Sequence, residues 1–503
     1  MSELVSRHPG KAGLRHTAAR GAALLIVQSF GSRLVLFGSQ LLLAWLLTPA
    51  DFGKSALAST ISTVAWSFIG FGADEVLQQR SHAIHMWEKS IFVIALGQGA
   101  LAALLICVAA PIAAHMFGVP ELLGMLLLAA ASLMIASFSV VPAAKVSASL
   151  DFAWMAAYNS FEVVFIQGLI VLFAWAGFGP YAFFMPAPIG AAVRAGLLWR
   201  RARPRLTGRI RLLQLKPLFG RGTKVLGLRI AQAVLSDGDY FLLGLYAATN
   251  IVGAYTFAFR LAAVPARVIA TNLQSVLFPT LTRLRGDPAR QNQAALKAAE
   301  VLAHVVTPLC GLQAVIAGPV LGLLFGNKWS SSIRLIQLLS VGLPAEATYA
   351  VVRARLGSSG HFGRALLFAC IQCVGFVTAV LIGASLAKDV GVAIGVSAFH
   401  LLVIPVLFAR ALDTGDRALH MTWRIFLCPL LFALASAALA IYLAKLLPGI
   451  WPATAMRLEK FAEIAVLGAA MTISYIALLR LFNAEVFRTI MELLHGLTKR
   501  LRA

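Results

Sequence analysis

Apolar residues run through this chain in stretches of about twenty or more, separated by short segments that hold most of the charge. At about 1.5 Å per residue, a helix of that length crosses a hydrocarbon core about 30 Å thick. Fourteen such spans are drawn, over residues 20–47, 53–77, 90–117, 122–144, 156–177, 181–199, 222–246, 251–281, 296–324, 333–356, 363–386, 390–410, 423–447 and 459–482. Lys and Arg concentrate in alternate loops, with Arg80 and Lys89, Lys145, the run Arg200 to Lys224, Arg283 to Lys297, Arg353 to Arg364 and Arg410 to Arg424 on one side. That side also takes Arg7 to Arg20 and the tail ending Lys499 to Arg502, so both termini are expected in the cytoplasm. The fold class expected is an all-α polytopic membrane protein of about 14 transmembrane helices.

The pattern repeats. Sliding the chain by 200 positions lays Leu41 to Ala58 over Phe241 to Ala258, matching Leu42 with Leu242, Leu43 with Leu243, Gly53 with Gly253 and Ala58 with Ala258. In both copies a span leaves the membrane, turns in about five residues ending in Gly, and re-enters. The division expected is a cytoplasmic segment (1–19), an N-lobe of six spans (20–199), a basic cytoplasmic linker (200–221), a C-lobe of six spans (222–412), two additional spans (413–482) and a basic cytoplasmic tail (483–503).

Some spans carry charge where hydrocarbon should be. Arg33 falls about 16 Å into the first span, and a guanidinium at that depth is costly unless it faces a polar cavity or a partner. Ser29 and Gln40 share its side of the helix at the 3.6-residue period. Span 8 places Thr256, Arg260, Arg267, Thr271 and Gln274 on one face, and two arginines seven residues apart there do not both reach the interface by snorkelling. Span 7 adds Arg229, Gln232, Ser236 and Asp239 on one side. A cavity between the halves lined by these groups is positive, suits an anionic ligand, and suits phosphate in particular because of arginine's planar fork. The competing expectation is that arginines such as Arg33, Arg194, Arg229, Arg260, Arg267 and Arg353 pair with buried acids, Glu162, Glu346 or Asp239.

Composition narrows the classes. The 503 residues are 60% hydrophobic and 13% charged, with mean hydropathy +0.84, outside the soluble globular range. A net charge of +23 would fit nucleic acid, but its placement in short loops is the positive-inside pattern, and no nucleic-acid partner is expected. The run Arg200 to Lys224 is read as a linker touching anionic headgroups. No cleavable signal peptide is read at the N-terminus.

Asp237 and Asp239 are candidates for a coupling cation, with a salt bridge to arginine as the alternative role. His304 and His400 are read as satisfied core histidines. Cys370 and Cys373 have redox spacing but lie in an apolar span, so a structural role is expected. His82, His85 and Glu88 are read as solvated interfacial residues and not as a metal site. Gly318 to Gly322 and Gly391 to Gly395 fit close helix packing. No cofactor is expected, and a cation gradient or the membrane potential stands as the candidate energy source.

RGAALLIVQSFGSR from Arg20, LLLAWLLTPADFG and GADEVLQQR to Arg80, together with the second-half stretch Asp239 to Asp287, resemble the polysaccharide flippases of the MOP exporter superfamily, of the Wzx type. Trp45 stands where many relatives carry an arginine. The resemblance implies a V-shaped bundle of two six-helix lobes plus two extra C-terminal helices, exposing a cationic cavity to each side in turn. It implies an oligosaccharide on a polyprenyl pyrophosphate carrier as substrate, with Arg33, Arg260, Arg267, Arg229 and Arg353 as pyrophosphate contacts. Ser29, Gln40, Gln232, Thr256, Thr271 and Gln274 are then the polar lining of that cavity. The expected setting is the bacterial inner membrane, as a monomer among membrane lipids, with polysaccharide polymerase and glycosyltransferases as neighbours. The alternatives are a membrane polymerase or ligase acting on the same lipid, and a multidrug exporter of the same superfamily.

Overall fold

The computed structural model describes residues 11–69, 84–149, 151–206, 216–412, 418–446 and 456–502. Among them the regular elements are all helical: α1 (Lys11–Leu46), α2 (Pro49–Trp66), α3 (Ile84–Phe117), α4 (Glu121–Ser137), α5 (Val140–Ala148), α6 (Phe152–Trp175), α7 (Pro186–Ala202), α8 (Lys216–Gly244), α9 (Thr249–Arg283), α10 (Pro288–Phe325), α11 (Ser330–Ser358), α12 (Phe362–Ala411), α13 (Ala418–Thr422), α14 (Cys428–Ala444), α15 (Met456–Phe482) and α16 (Ala484–Arg502). A short 3₁₀ turn precedes α7, and a π-helical turn, Trp423–Leu427, joins α13 to α14.

Among the described residues nine helical segments are long and apolar enough to cross a membrane, and α4 with α5, bent by 48°, passes the same test as a pair. The set leaves out α1, α2 and α8, and it counts α12 once. Yet α12 is two helices across a break at Ala387 and Lys388, where Lys388 has a φ of 47°. Among the described residues the expected count of fourteen is therefore not reached by length and hydropathy alone: charged and polar residues thin the apolar content of α2 and α8, and α1 is represented only by its stretch Gly31–Leu46.

The chain forms two compact units: residues 1–47 with 61–226, and residues 48–60 with 227–503. In the first unit α3 packs on α4, α1 on α6, and α4 on α7. Its Asp151 caps α6, accepting from the Trp154 amide at 3.3 Å, and pairs with Arg201 at 2.5 Å; that bond from Arg201 holds the Asp151 carboxyl below the usual range. Glu88 corrects an expectation. Far from being solvated, it is 1% exposed, ion-paired with Lys145 at 2.9 Å and accepting from the Arg205 amide at 2.5 Å. His82 lies outside the described residues.

In the second unit α11 is the central helix, packed by α9, α10 and α12. The start of α2 belongs here. Thr48 and Asp51 cap it reciprocally, the Thr48 amide and hydroxyl donating to Asp51 at 2.9 and 2.7 Å, with Pro49 at the first helical position. Phe52 then inserts beside Phe257 and the fully buried Trp329. The repeat becomes physical at this crossing. A β-carbon on Gly53 would fall on the Thr249 carbonyl, and one on Gly253 would fall on the Pro49 carbonyl, so residues 49–53 and 249–253 meet each other in the same way.

Gly391 and Gly395 do approach a neighbouring helix, with the backbone of Gly383 and Ala379 where their β-carbons would be. Gly318 and Gly322 do not. Added β-carbons there would meet only Ile333 at 3.9 Å and Lys460 at 3.7 Å, ordinary contacts, so that expected packing motif is corrected.

Candidate functional site

In the first unit, Ser29, Arg33 and Gln40 are all half-buried on α1. The same helix is held to α6 by Ser39, which donates to Gln167 at 2.6 Å. A polar pair sits on α6 and α7, where Arg194 reaches Glu162 at 3.5 Å beside Tyr158, whose ring stacks on Trp154 at 5.1 Å. Arg194 thus has the buried-acid partner considered for it.

In the second unit, α8 carries Arg229 half-buried and Gln232 exposed. The two aspartates near its end differ. Asp239 has no exposed surface and accepts from the Tyr255 hydroxyl at 2.7 Å and the Tyr240 amide at 3.1 Å. The Asp237 carbonyl accepts from the Thr60 hydroxyl at 2.9 Å. Tyrosine, and not arginine, is the hydrogen-bond partner of Asp239, a phenol the sequence spacing of sixteen residues did not single out. Among the described residues no group of three or more His, Cys, Asp or Glu is arranged to hold a metal ion.

The face of α9 divides. Thr256 is wholly buried, its hydroxyl bonded back to the Val252 carbonyl at 2.8 Å, so it is corrected from a cavity-lining to a packing residue. Gln274 donates to the Ala350 carbonyl at 3.0 Å and ties α9 to α11. Thr271 is exposed and bonded back to Arg267 at 2.7 Å. Arg260 is half-buried. Arg267 is exposed, with its guanidinium 5.5 Å from the centre of the Phe259 ring, a cation–π distance.

Arg353, on α11, bonds Glu346 at 3.3 Å and lies 5.7 Å from the centre of the Tyr349 ring. Both partners of that ion pair keep about a third of their side-chain surface, 35% and 34%. Glu346 also interacts electrostatically with Arg267 from α9 and His400 from α12. His304 is satisfied as expected, with contacts to the Glu300 carbonyl at 2.9 Å and Asn483 at 3.5 Å. His400 is not: it is 6% exposed and its Nδ1 has no hydrogen-bond partner among the described residues. The cysteines are free, and Cys373 donates to the Ala231 carbonyl at 3.3 Å, a packing role.

Arg260, Arg267 and Arg353 thus stand on two packed helices of one unit, each with surface to offer, and a planar guanidinium is the side chain suited to a fork of hydrogen bonds with phosphate oxygens. Comparison with known proteins gives these arginines a context. Residues 42–334 match the family model described as "Polysaccharide biosynthesis protein". The chain belongs to that polysaccharide biosynthesis family. Within it, the chain is similar to the succinoglycan biosynthesis transport protein ExoT of Rhizobium meliloti (strain 1021), at 26% identity over 65% of this chain and 66% of that protein, just under two thirds of its length. It is also similar to the lipopolysaccharide biosynthesis protein WzxC of Escherichia coli (strain K12), at 24% identity over 75% of this chain and 77% of that protein. Among solved structures, the lipid II flippase MurJ in an inward closed conformation matches 92% of this chain and 99% of its own, with a TM-score of 0.72 at 12% identity. A variant of the MATE transporter VcmN of Vibrio cholerae matches 81% of this chain and 99% of its own, with a TM-score of 0.56 at 14% identity. The fold is that of the MurJ and MATE transporters, and ExoT is by name a transport protein.

Proposed function

We propose that this chain flips a polyprenyl-pyrophosphate-linked oligosaccharide across the bacterial inner membrane by alternating access, supplying synthesis of a surface polysaccharide. The reading is supported most by three accessible arginines, Arg260, Arg267 and Arg353, inside the apolar helices of a polysaccharide biosynthesis family member. Charges so placed at membrane depth are functional by default, and a pyrophosphate is the anion that a carrier lipid brings to that depth. Arg33 with Ser29 and Gln40 on α1 of the first unit, and Arg229 with Gln232 on α8 and Thr271 and Gln274 on α9 of the second, are each assigned to the same task within their own unit. The chain performs no bond chemistry in this reading. Both termini face the cytoplasm, and glycosyltransferases and a polymerase act on the lipid before and after it. Arginine-lined surfaces repel the cationic drugs that a multidrug exporter carries.

A strain carrying Arg33→Ala together with Arg260→Ala tests this. Lipid-linked repeat units are expected to accumulate on the cytoplasmic face with the protein still present in the membrane; normal polysaccharide export in that strain sinks the assignment.

A further inference from the structure

On α6 of the first unit, Trp154, Tyr158, Phe161 and Phe165 follow the i, i+4, i+7, i+11 spacing of a single helical face. They stack in pairs, Trp154 on Tyr158 with ring centres 5.1 Å apart and planes 3° from parallel, and Phe161 on Phe165 at 5.4 Å and 17°. Phe161 is 47% exposed and the other three are half-buried, so ring surface is left over after the stacking. Aromatic residues that anchor a span in a membrane collect at headgroup level. The eleven residues from Trp154 to Phe165 instead cover about 16 Å of helix, which carries the stripe well into the span.

Neighbouring helices take other sides of α6. Ser39 of α1 bonds Gln167, which at roughly 100° per residue lies about 160° around the helix from Phe165. Against α7, a β-carbon on Gly190 would fall on Ile166 Cδ1, about 100° from the stripe. From that contact, one turn back along α6 and one turn forward along α7 bring Glu162 and Arg194 together at 3.5 Å. Glu162 is also one turn beyond Tyr158, on the flank of the stripe. The two side chains keep 29% and 37% of their surface, and the Arg194 Nε has no hydrogen-bond partner among the described residues. A charged pair so exposed does not face hydrocarbon, so this flank of α6 is wet.

We propose that this face of α6 is a saccharide-binding surface: sugar units of the lipid-linked substrate pack on the stacked rings while Glu162 and Arg194 hydrogen-bond their hydroxyls. The inference rests on the flippase reading above and adds to it where the glycan, as distinct from the phosphate, is held. A sugar ring presents an apolar C–H face and a rim of hydroxyls. The C–H face suits the negative face of an aromatic ring. The rim suits planar charged groups, the acceptors of Glu162 and the donors of Arg194. Stacking asks little about the orientation of each hydroxyl, so a run of rings accepts successive sugars along the helix without a deep well at any one. Discrimination among sugars falls to the Glu162–Arg194 pair.

The test titrates the purified full-length protein with two probes, farnesyl-pyrophosphoryl-N-acetylglucosamine and farnesyl pyrophosphate, which share the tail and the pyrophosphate and differ in the sugar. Wild type is expected to prefer the sugar-bearing probe. Trp154→Ala with Tyr158→Ala is expected to lose about fivefold in affinity for that probe and to bind farnesyl pyrophosphate as wild type does, which also shows that the variant is folded. Trp154→Phe with Tyr158→Phe keeps the rings and is expected to keep the preference. A wild type with no preference, a preference retained by the alanine variant, or an equal loss for both probes overturns the saccharide surface while leaving the phosphate site standing. Binding of neither probe by wild type sinks the flippase reading, and the inference with it.

Discussion

Asp239 shows how a single residue's role turns on a partner the sequence hides. Its carboxylate is enclosed and accepts from the Tyr255 hydroxyl on the next helix. Reading the sequence finds the acid, because a charge in an apolar span stands out; it does not find the phenol, because a tyrosine in such a span is ordinary. Tyr255→Phe leaves one carboxylate oxygen without its donor and is expected to cost about 1–3 kcal/mol, read as a lower melting temperature of the detergent-solubilised protein. An unchanged melting temperature would show that the bond does not hold Asp239. The arginines were legible for the same reason as the acid, since expensive charges announce themselves. Their partners were legible only where helical spacing supplied them, as with Arg353 and Glu346, and not where they come from distant chain, as with Glu88 and the Arg205 amide.

At the scale of elements, the two re-entry turns carried the clearest message. The matched glycines Gly53 and Gly253 were visible as a weak repeat, and they prove to be the two sides of one backbone crossing. The turn chemistry differs between the copies: Thr48 and Asp51 cap α2, whereas α9 starts after Ala248 with no side-chain cap. Gly53→Ala and Gly253→Ala each place a methyl on a backbone carbonyl. Each is expected to exceed the usual cost of overpacking, about 1–3 kcal/mol, and to lower the amount of folded protein in the membrane. Gly38→Ala, with nothing within 4 Å of its β-carbon, is expected to leave that amount unchanged. Wild-type levels of Gly53→Ala would contradict the crossing. Other features of the elements were legible unevenly. The break of α12 at Ala387 and Lys388 falls between the two spans drawn over 363–386 and 390–410, where Lys388 and Asp389 interrupt the apolar run, whereas the π-turn at Trp423–Leu427 has no local signature and aims Arg424 at Glu300, 2.8 Å away, across 124 residues of sequence.

For the whole molecule, periodicity and loop charge were sufficient for an all-helical membrane protein, because hydrocarbon leaves a lone apolar segment few other choices. They do not by themselves fix the number of crossings: among the described residues α8, interrupted by Arg229, Asp237 and Asp239, falls outside the apolar set. Charge and hydropathy pull in opposite directions in that helix. The central claim, that the arginines move a lipid pyrophosphate between leaflets, is tested most directly in vesicles reconstituted with purified protein and a fluorescent short-chain polyprenyl-pyrophosphoryl sugar. Wild-type vesicles are expected to bring the inner-leaflet lipid within reach of an external quencher, and Arg260→Ala with Arg267→Ala to slow that exchange at least tenfold, about 1.4 kcal/mol. Exchange by the double variant at the wild-type rate would contradict the account.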